Sequence, residues 1–311
     1  MRFKTAHTCP LLALVIFVLL CVCRTPKLQQ AVSGNEYLTQ IILQFMVFLI
    51  PAIIYCRVKG PSYITKLNFR PVGPAALGIL LLTILLMIAG SWLIRMAQLA
   101  LLVGDRPISF VSAYPITLSS VSDAVYVSLT FALLPAICEE FVFRSVFVSE
   151  YTSDGYSCFT VGALTSLLFA MMHFDAVQFP IYLWCGVLLV MLTYVTQSVI
   201  PAILCHCLYN LYGIFGENQL LMLFKQPQNS IFLLFVIACI FFILLILTLS
   251  EAERIFTVYG TCDRPTPAYV GERTSRFPTS QSKTLHTVAA WTSPFLLLCI
   301  AIFLIVTFLG N

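Results

Sequence analysis

Long apolar runs are the feature that most constrains how this chain can fold. Nine stretches carry few charges, at 7–23, 37–56, 74–97, 123–148, 157–174, 178–197, 199–215, 230–249 and 288–309. A membrane-spanning helix needs about 20 mostly apolar residues. Only helices and closed barrels satisfy their backbone in lipid, and these runs are too continuously apolar for alternating barrel strands. We therefore predict an all-α fold, a polytopic integral membrane helical bundle with eight or nine transmembrane helices.

Composition agrees with a protein whose main surroundings are lipid. Hydrophobic residues make up 60% of the chain and charged residues 10%, whereas soluble domains average about 25% charged. The net charge of +4 is small and its basic residues are scattered, so we expect the lipid bilayer and no nucleic acid as a partner. Most of the 12 cysteines lie inside apolar runs, where Cys usually behaves as a small hydrophobe.

The first apolar run could be a signal peptide or a first helix. Arg2 and Lys4 provide a basic start, and the run from Pro10 to Cys23 is short for a span. No small-x-small cleavage site follows, because the next residues are Arg24-Thr25-Pro26. We expect an uncleaved first helix.

Two connecting segments predict the orientation. Segment 57–73 carries four Lys or Arg residues and no acid, and segment 250–287 carries five basic residues beside four acids. Loops rich in Lys and Arg stay in the cytoplasm. We therefore predict that both segments are cytoplasmic and that the protein is a multi-pass protein of the cell membrane.

Three charged residues occur inside the run 123–148, namely Glu139, Glu140 and Arg144. A charge at the centre of a membrane helix costs about 2.5–3.5 kcal/mol on insertion scales. Glu140 and Arg144 are four residues apart, so they share a helix face and can pair. Glu139 projects about 100° away, so it needs a partner on another helix, or water.

Further polar residues occur at His173 and at the pair His206 and Asn210. A turn at 152–157 lies midway between Glu139 and His173, so a symmetric hairpin brings these two side chains to the same depth. His206 lies only a few residues into its helix, and a tilted or shortened helix is needed to bring it to that depth. Each residue alone is more typical of a packed side chain than of a catalyst. Their combination on neighbouring helices favours chemistry.

A metal site is less well supported. Cys205 and Cys207 diverge around His206 by about 200° on a helix, so they should not converge on one ion. Glu139, His173 and His206 include the residue types of a catalytic zinc site, but the short His-Glu-x-x-His signature is absent. No cofactor is firmly predicted, and zinc stays open as an alternative.

These motifs resemble the CPBP family of intramembrane proteases, also called the CAAX protease and bacteriocin-processing, or Abi-like, family. The family pattern reads here as Glu139-Glu140-x-x-x-Arg144, Phe169-x-x-x-His173 and His206-x-x-x-Asn210. The three parts occur in order on successive helices, over roughly 123–215. Each part alone is weak, and the ordered triple is fairly specific.

The resemblance implies an intramembrane endopeptidase, glutamate-dependent by one description and a metalloprotease by another. It assigns Glu139 as the base that activates water, with Glu140 and Arg144 shaping the site. His173 would help to position the water. His206 and Asn210 would stabilise the oxyanion. The expected substrate is a peptide or protein cut near the membrane surface, without a specific requirement for a prenylated CAAX end.

The domain organisation follows from this core. We expect N-terminal membrane helices in 1–122, a catalytic helical core in 123–215, and C-terminal membrane helices with a cytoplasmic loop at 250–287 in 216–311. Two other functions stay open. Buried Glu and His residues also occur as relays in transporters or proton-coupled carriers, although no inverted repeat is visible. A non-enzymatic bacteriocin-immunity protein is the third reading.

Overall fold

Nine helices form the regular structure in the computed structural model, which describes residues 5–25, 36–60, 63, 67–101, 120–217, 227–261 and 284–308. No strand occurs in these described residues, so the all-helical prediction is confirmed. In chain order the helices are α1 (Thr5–Cys23), α2 (36–59), α3 (Ala75–Leu101), α4 (121–153), α5 (Cys158–Met171), α6 (Phe179–Thr196), α7 (Ile200–Phe215), α8 (Pro227–Thr261) and α9 (Thr284–Trp291 and Pro294–Phe308).

Seven of these helices are long and apolar enough to cross a membrane, and α5 and α7 are shorter apolar helices. The nine apolar helices match the predicted runs in number and order. With 14 and 16 residues, α5 and α7 are about 21 and 24 Å long, against about 30 Å of hydrocarbon. At least one end of each therefore lies inside the bilayer, which allows buried polar groups to be placed there.

Helices α2 and α4 contain π-helical segments, at Gln44–Leu49 in α2 and at Ser128–Leu133 and Phe141–Phe147 in α4. The first two segments directly precede the helical turns that contain Pro51 and Pro135. A proline ring clashes with the carbonyl four residues earlier, so the helix widens there. Such segments are frequent at functional sites.

Contacts at one end of the bundle place the flanks of both predicted cytoplasmic segments together. A side chain at Gly78, near the start of α3, would lie 3.6 Å from the carboxylate of Glu251 in α8. Lys59 at the end of α2 pairs with Glu150 near the end of α4. We call this the basic end. If nine helices cross the membrane in alternating directions, segments 57–73 and 250–287 must lie on the same side. The contact between the start of α3 and α8 agrees with this arrangement.

The opposite end of the bundle is joined by a second set of contacts. The Arg24 guanidinium donates to the backbone oxygen of His173 at 2.9 Å, and the Gln98 amide donates to the backbone oxygen of Val177. Arg95 of α3 pairs with Glu217, which directly follows the end of α7. These contacts complete an up-and-down arrangement of the helices.

The predicted loop 250–287 is partly wrong at its start. Helix α8 continues to Thr261 because Ala252 and Ile255 are buried against the α3 side of the core. Arg254 also donates to Glu251 three residues earlier, at 2.7 and 2.5 Å. Residues 262–283 of this segment lie outside the described residues.

Burial differs widely among the helices. Within the apolar windows, 61% of residues are buried in α6 and 56% in α3, against 33% in α4 and only 6% in α8, so α8 is a peripheral helix. The division at residues 123 and 215 stays a prediction.

Candidate active site

Glu140 is the most buried acid of the predicted site and accepts two hydrogen bonds at one oxygen. Its Oε1 lies 2.9 Å from Arg144 Nη1 and 2.8 Å from His206 Nδ1. Glu140 and Arg144 are fully buried. The local pairing expected from the four-residue spacing is therefore present, and His206 joins it from α7.

Arg144 connects α4 to α5 and α6. Its Nη2 donates to the backbone oxygen of Gly186 at 3.2 Å, and its guanidinium lies 4.3 Å from the centre of the Phe169 ring. A Cβ at Gly186 would come within 3.0 Å of the Cβ of Ser166. Glycine at this position therefore favours the close approach of α6 to α5, and the backbone oxygen of Gly186 lies within reach of Arg144.

Glu139 is 7% exposed and points to a different environment from Glu140. The side-chain amide of Gln44 in α2 lies within hydrogen-bonding reach of its carboxylate. Its charged neighbours are His206, Glu140 and Arg144. The Oε2 atom of Glu139 has no hydrogen-bond partner within the described residues. Gln44 is thus the neighbour on another helix that Glu139 was expected to need, and the Oε2 atom of Glu139 stays available.

His173 lies just past the end of α5, where a backbone hydrogen bond and a stacked aromatic ring hold its imidazole. Its Nδ1 is 3.0 Å from the backbone oxygen of Phe169, so in the neutral ring Nδ1 carries the proton and Nε2 is an acceptor. The ring stacks on Tyr182 at 3.7 Å and an interplanar angle of 11°. His173 is only partly buried, so this side of the site is accessible.

The hairpin of α4 and α5 has the symmetry that the sequence predicts. The rings of Phe143 and Phe169 pack at 5.4 Å, and these residues lie at equal distances in sequence from Tyr156. Glu139 and His173 are also equidistant from Tyr156, so they lie at the same level one turn further along. No hydrogen bond joins these two side chains in the described structure.

The depth of His206 is explained by the segment before α3. The backbone N–H of Val199 donates to the oxygen of Asn68 at 2.8 Å, which attaches the turn before α7 to that segment. Next to Asn68, the Phe69 ring packs 6.0 Å from Phe141, the residue after Glu140. Helix α7 therefore starts deep in the bundle, and six residues suffice to bring His206 to Glu140.

Asn210 lies one turn beyond His206 on the same face of α7. Its Nδ2 donates to the backbone oxygen of Ala132 at 3.3 Å, within the π-helical segment Ser128–Leu133 of α4. This bond uses one of the two amide hydrogens. The second hydrogen is available to a group bound beside His206.

Three residues next to the site were missed by the sequence analysis. Gln44 had a weak signal, as an amide in the apolar run 37–56. Tyr182 and Gly186 had none, because an aromatic residue and a glycine are ordinary in an apolar helix.

The residues present do not form a metal-ligand set. Among the described residues, no three His, Cys, Asp or Glu side chains are grouped as ligands of one ion. Cys205 Sγ lies 3.4 Å from Met87 Sδ of α3, on the face of α7 away from Glu140. The zinc alternative therefore has no support from the arrangement of Glu139, His173 and His206.

Comparison with known families agrees with the motif resemblance. Residues 121–212 match the family model described as type II CAAX prenyl endopeptidase, Rce1-like. The match covers all of α4, α5 and α6, most of α7, and all six predicted site residues. No significant match was found among curated proteins or solved structures.

Proposed function

We propose that this chain, which carries a domain of the CAAX protease family in residues 121–212, hydrolyses peptide bonds in the membrane by direct attack of water that Glu139 activates. The family match supports an intramembrane endopeptidase. The multi-pass helical structure supports its place within a membrane. The residue roles below are part of the proposal.

The observation that carries the proposal is the surplus carboxylate of Glu139. Arg144 pairs with Glu140 at 2.9 Å, whereas no cation pairs with Glu139 within the described residues. The Gln44 amide lies beside the Glu139 carboxylate, and the Oε2 of Glu139, like that of Glu140, has no hydrogen-bond partner in this part of the chain. A carboxylate held in this way can take a proton from water as the water attacks a carbonyl. No ion pair occupies its second oxygen, so that oxygen is the proton acceptor.

His173 supplies the second contact of the water. Because its Nδ1 is bonded to the Phe169 backbone, its Nε2 can accept a hydrogen bond. It lies at the level of Glu139 across the α4–α5 hairpin. A water between them donates one hydrogen to Glu139 and one to His173, which directs an oxygen lone pair at the scissile carbonyl.

His206 and Asn210 stabilise the oxyanion in this proposal. His206 Nδ1 donates to Glu140, so protonation of Nε2 gives a second donor that Glu140 balances. When Glu139 takes the proton of water, the new oxyanion replaces its charge. The net charge of the buried site is therefore unchanged through the step, which avoids the cost of an additional charge in the membrane.

The bonds change in two stages. The water oxygen bonds to the carbonyl carbon while Glu139 takes one proton. The carbon–nitrogen bond then breaks as Glu139 returns that proton to the leaving amine. The immediate products are a carboxylic acid and an amine, with Glu139 ionised again, and proton exchange between the products gives a carboxylate and an ammonium group.

The substrate class stays a prediction, namely a peptide or protein with its scissile bond near the bilayer. The description of the matched family names prenylated CAAX ends. Matched farnesylated and unmodified peptides test the difference with purified protein. Cleavage of the prenylated peptides alone would contradict the broader substrate class.

The proposed function is tested by comparing the membrane peptides of cells that carry wild type or Glu139→Gln. Glu253→Gln is the control, since Glu253 is exposed on α8. We expect cleavage products with wild type and the control that are absent with Glu139→Gln. Identical peptide profiles in all three would contradict a peptidase.

A further inference from the structure

Gln44 lies beside Glu139, although it belongs to a helix outside the matched residues 121–212. It is 3% exposed and begins the π-helical segment Gln44–Leu49 of α2. This segment packs against Leu134–Glu140 of α4. Burying the polar amide of Gln44 in an apolar helix costs free energy, so a compensating role is expected for this side chain.

The hydrogen bonds of Gln44 are only partly satisfied. Its amide lies within hydrogen-bonding reach of the Glu139 carboxylate, whereas its Oε1 and the Oε2 of Glu139 have no hydrogen-bond partner within the described residues. Buried amides are normally satisfied at both atoms. Because the Gln44 amide is in place beside Glu139, its N–H can hold one oxygen of that carboxylate while the other stays available.

We propose that Gln44 is a positioning residue for the hydrolysis reaction. Its amide N–H fixes one oxygen of Glu139 and leaves Oε2 directed at the water. The inference rests on the proposed function of Glu139 as the base. It extends the catalytic unit from the four matched helices to α2, where Gln44 begins the π-helical segment before Pro51.

Gln44→Met tests the inference, because methionine keeps the length of the side chain without the amide. We expect kcat to fall about 10- to 100-fold, the value of a hydrogen bond to a charged group. KM should stay unchanged, since Gln44 does not contact the substrate. The melting temperature in detergent should not fall, because an unsatisfied buried amide is removed. Gln40→Met, one turn earlier on α2 and partly buried, should leave kcat unchanged.

A double variant separates positioning from a structural role. If Gln44 acts through Glu139, Gln44→Met should cause no further loss in a Glu139→Gln background. Equal losses in both backgrounds would overturn the inference. So would a fall in melting temperature with wild-type turnover per folded molecule.

A spectroscopic measurement distinguishes failure of this inference from failure of the proposed function. With isotope-labelled glutamate, the infrared difference between wild type and Glu139→Gln isolates the Glu139 carboxylate band. We expect this band to shift in Gln44→Met and to stay in place in Gln40→Met. A shifted band supports the hydrogen bond, even if the wild-type protein hydrolyses no peptide. An unshifted band overturns the inference, even if the wild-type protein is an active peptidase.

Discussion

Two regions of the bundle bury an arginine and a glutamate, and they differ in charge balance. Near the opposite end from the basic loops, Arg95 of α3 pairs with Glu217, with 3% and 4% of their side chains exposed. At the predicted site, Arg144 pairs with Glu140, both fully buried. The first region has one acid for one base. The second has an extra acid, Glu139.

The surroundings differ in the same way. Beside Arg95 and Glu217, the Ser91 and Tyr209 hydroxyls bond at 2.7 Å and the Trp92 indole N–H donates to the Tyr212 hydroxyl. These groups join α3 to α7 and satisfy one another. At the site, the Oε2 atoms of Glu139 and Glu140 both have no hydrogen-bond partner within the described residues, and only Glu140 is paired with a cation there. A balanced pair is typical of an anchor, whereas a surplus acid with an available oxygen is typical of chemistry.

The largest effect on stability is expected for Glu140→Gln. This change leaves Arg144 buried without its counter-charge, and removing one partner of a buried pair costs about 3–5 kcal/mol. We expect a lower yield of folded protein and a lower melting temperature in detergent.

The double variant Glu140→Leu/Arg144→Met provides the control for stability. Replacing both partners of a buried pair by apolar residues is often neutral, so much of the lost stability should return. A Glu140→Gln variant as stable as wild type would show that the pair is not what holds α4 in place.

Arg95→Met should affect stability but not chemistry. We expect a loss of roughly 3 kcal/mol, the lower end for a broken buried pair, because this pair lies close to the helix ends. Turnover per folded molecule should stay at the wild-type level. Arg95→Met/Glu217→Met should recover stability. A loss of turnover per folded molecule in this double variant would show that the Arg95–Glu217 pair contributes to catalysis.

Tyr182→Leu should have a smaller effect, at the site only. The Tyr182 ring stacks on His173 at 3.7 Å, and an aromatic pair contributes about 0.5–1.5 kcal/mol. We expect turnover to fall by up to about 10-fold while the melting temperature changes little. Tyr182→Phe keeps the ring and should retain most activity. Equal losses in both variants would mean that the hydroxyl, and not the stack, supports His173.

The orientation prediction involves no loss of stability or activity. Single cysteines at Ser62 and Ser275, in a cysteine-free background, should be protected from an impermeant thiol reagent in intact cells and labelled after lysis. The contact between the Gly78 and Glu251 regions places the flanks of both segments on one side. Labelling of both positions from outside would reverse the orientation, and labelling of only one would contradict the shared side.

Much of this architecture could be predicted because its causes are local. Apolar runs show the helices, and the four-residue spacing of Glu140 and Arg144 fixes their pairing on one helix. The level of Glu139 and His173 follows from a short turn centred on Tyr156. Each of these features depends on neighbouring residues, or on one hairpin.

The remaining features depend on distant parts of the chain. The meeting of His206 with Glu140 requires a turn held by Asn68, whose place in the bundle no periodicity reveals. The partner of Glu139 is Gln44, on a helix far earlier in the chain. The end of α8 could not be placed from the sequence. The charged residues after position 250 are typical of a loop, whereas Ala252 packs in the core and the helix continues.

The most direct test of the surplus-acid account compares Glu139→Gln with Glu140→Gln in one preparation, as turnover per folded molecule with melting temperature alongside. Glu139→Gln should fold like wild type and lose about 10²–10⁴-fold in rate, the usual contribution of a general base. Glu140→Gln should lose stability first. Near-wild-type turnover in Glu139→Gln, together with a folded but inactive Glu140→Gln, would contradict the account and reverse the two roles.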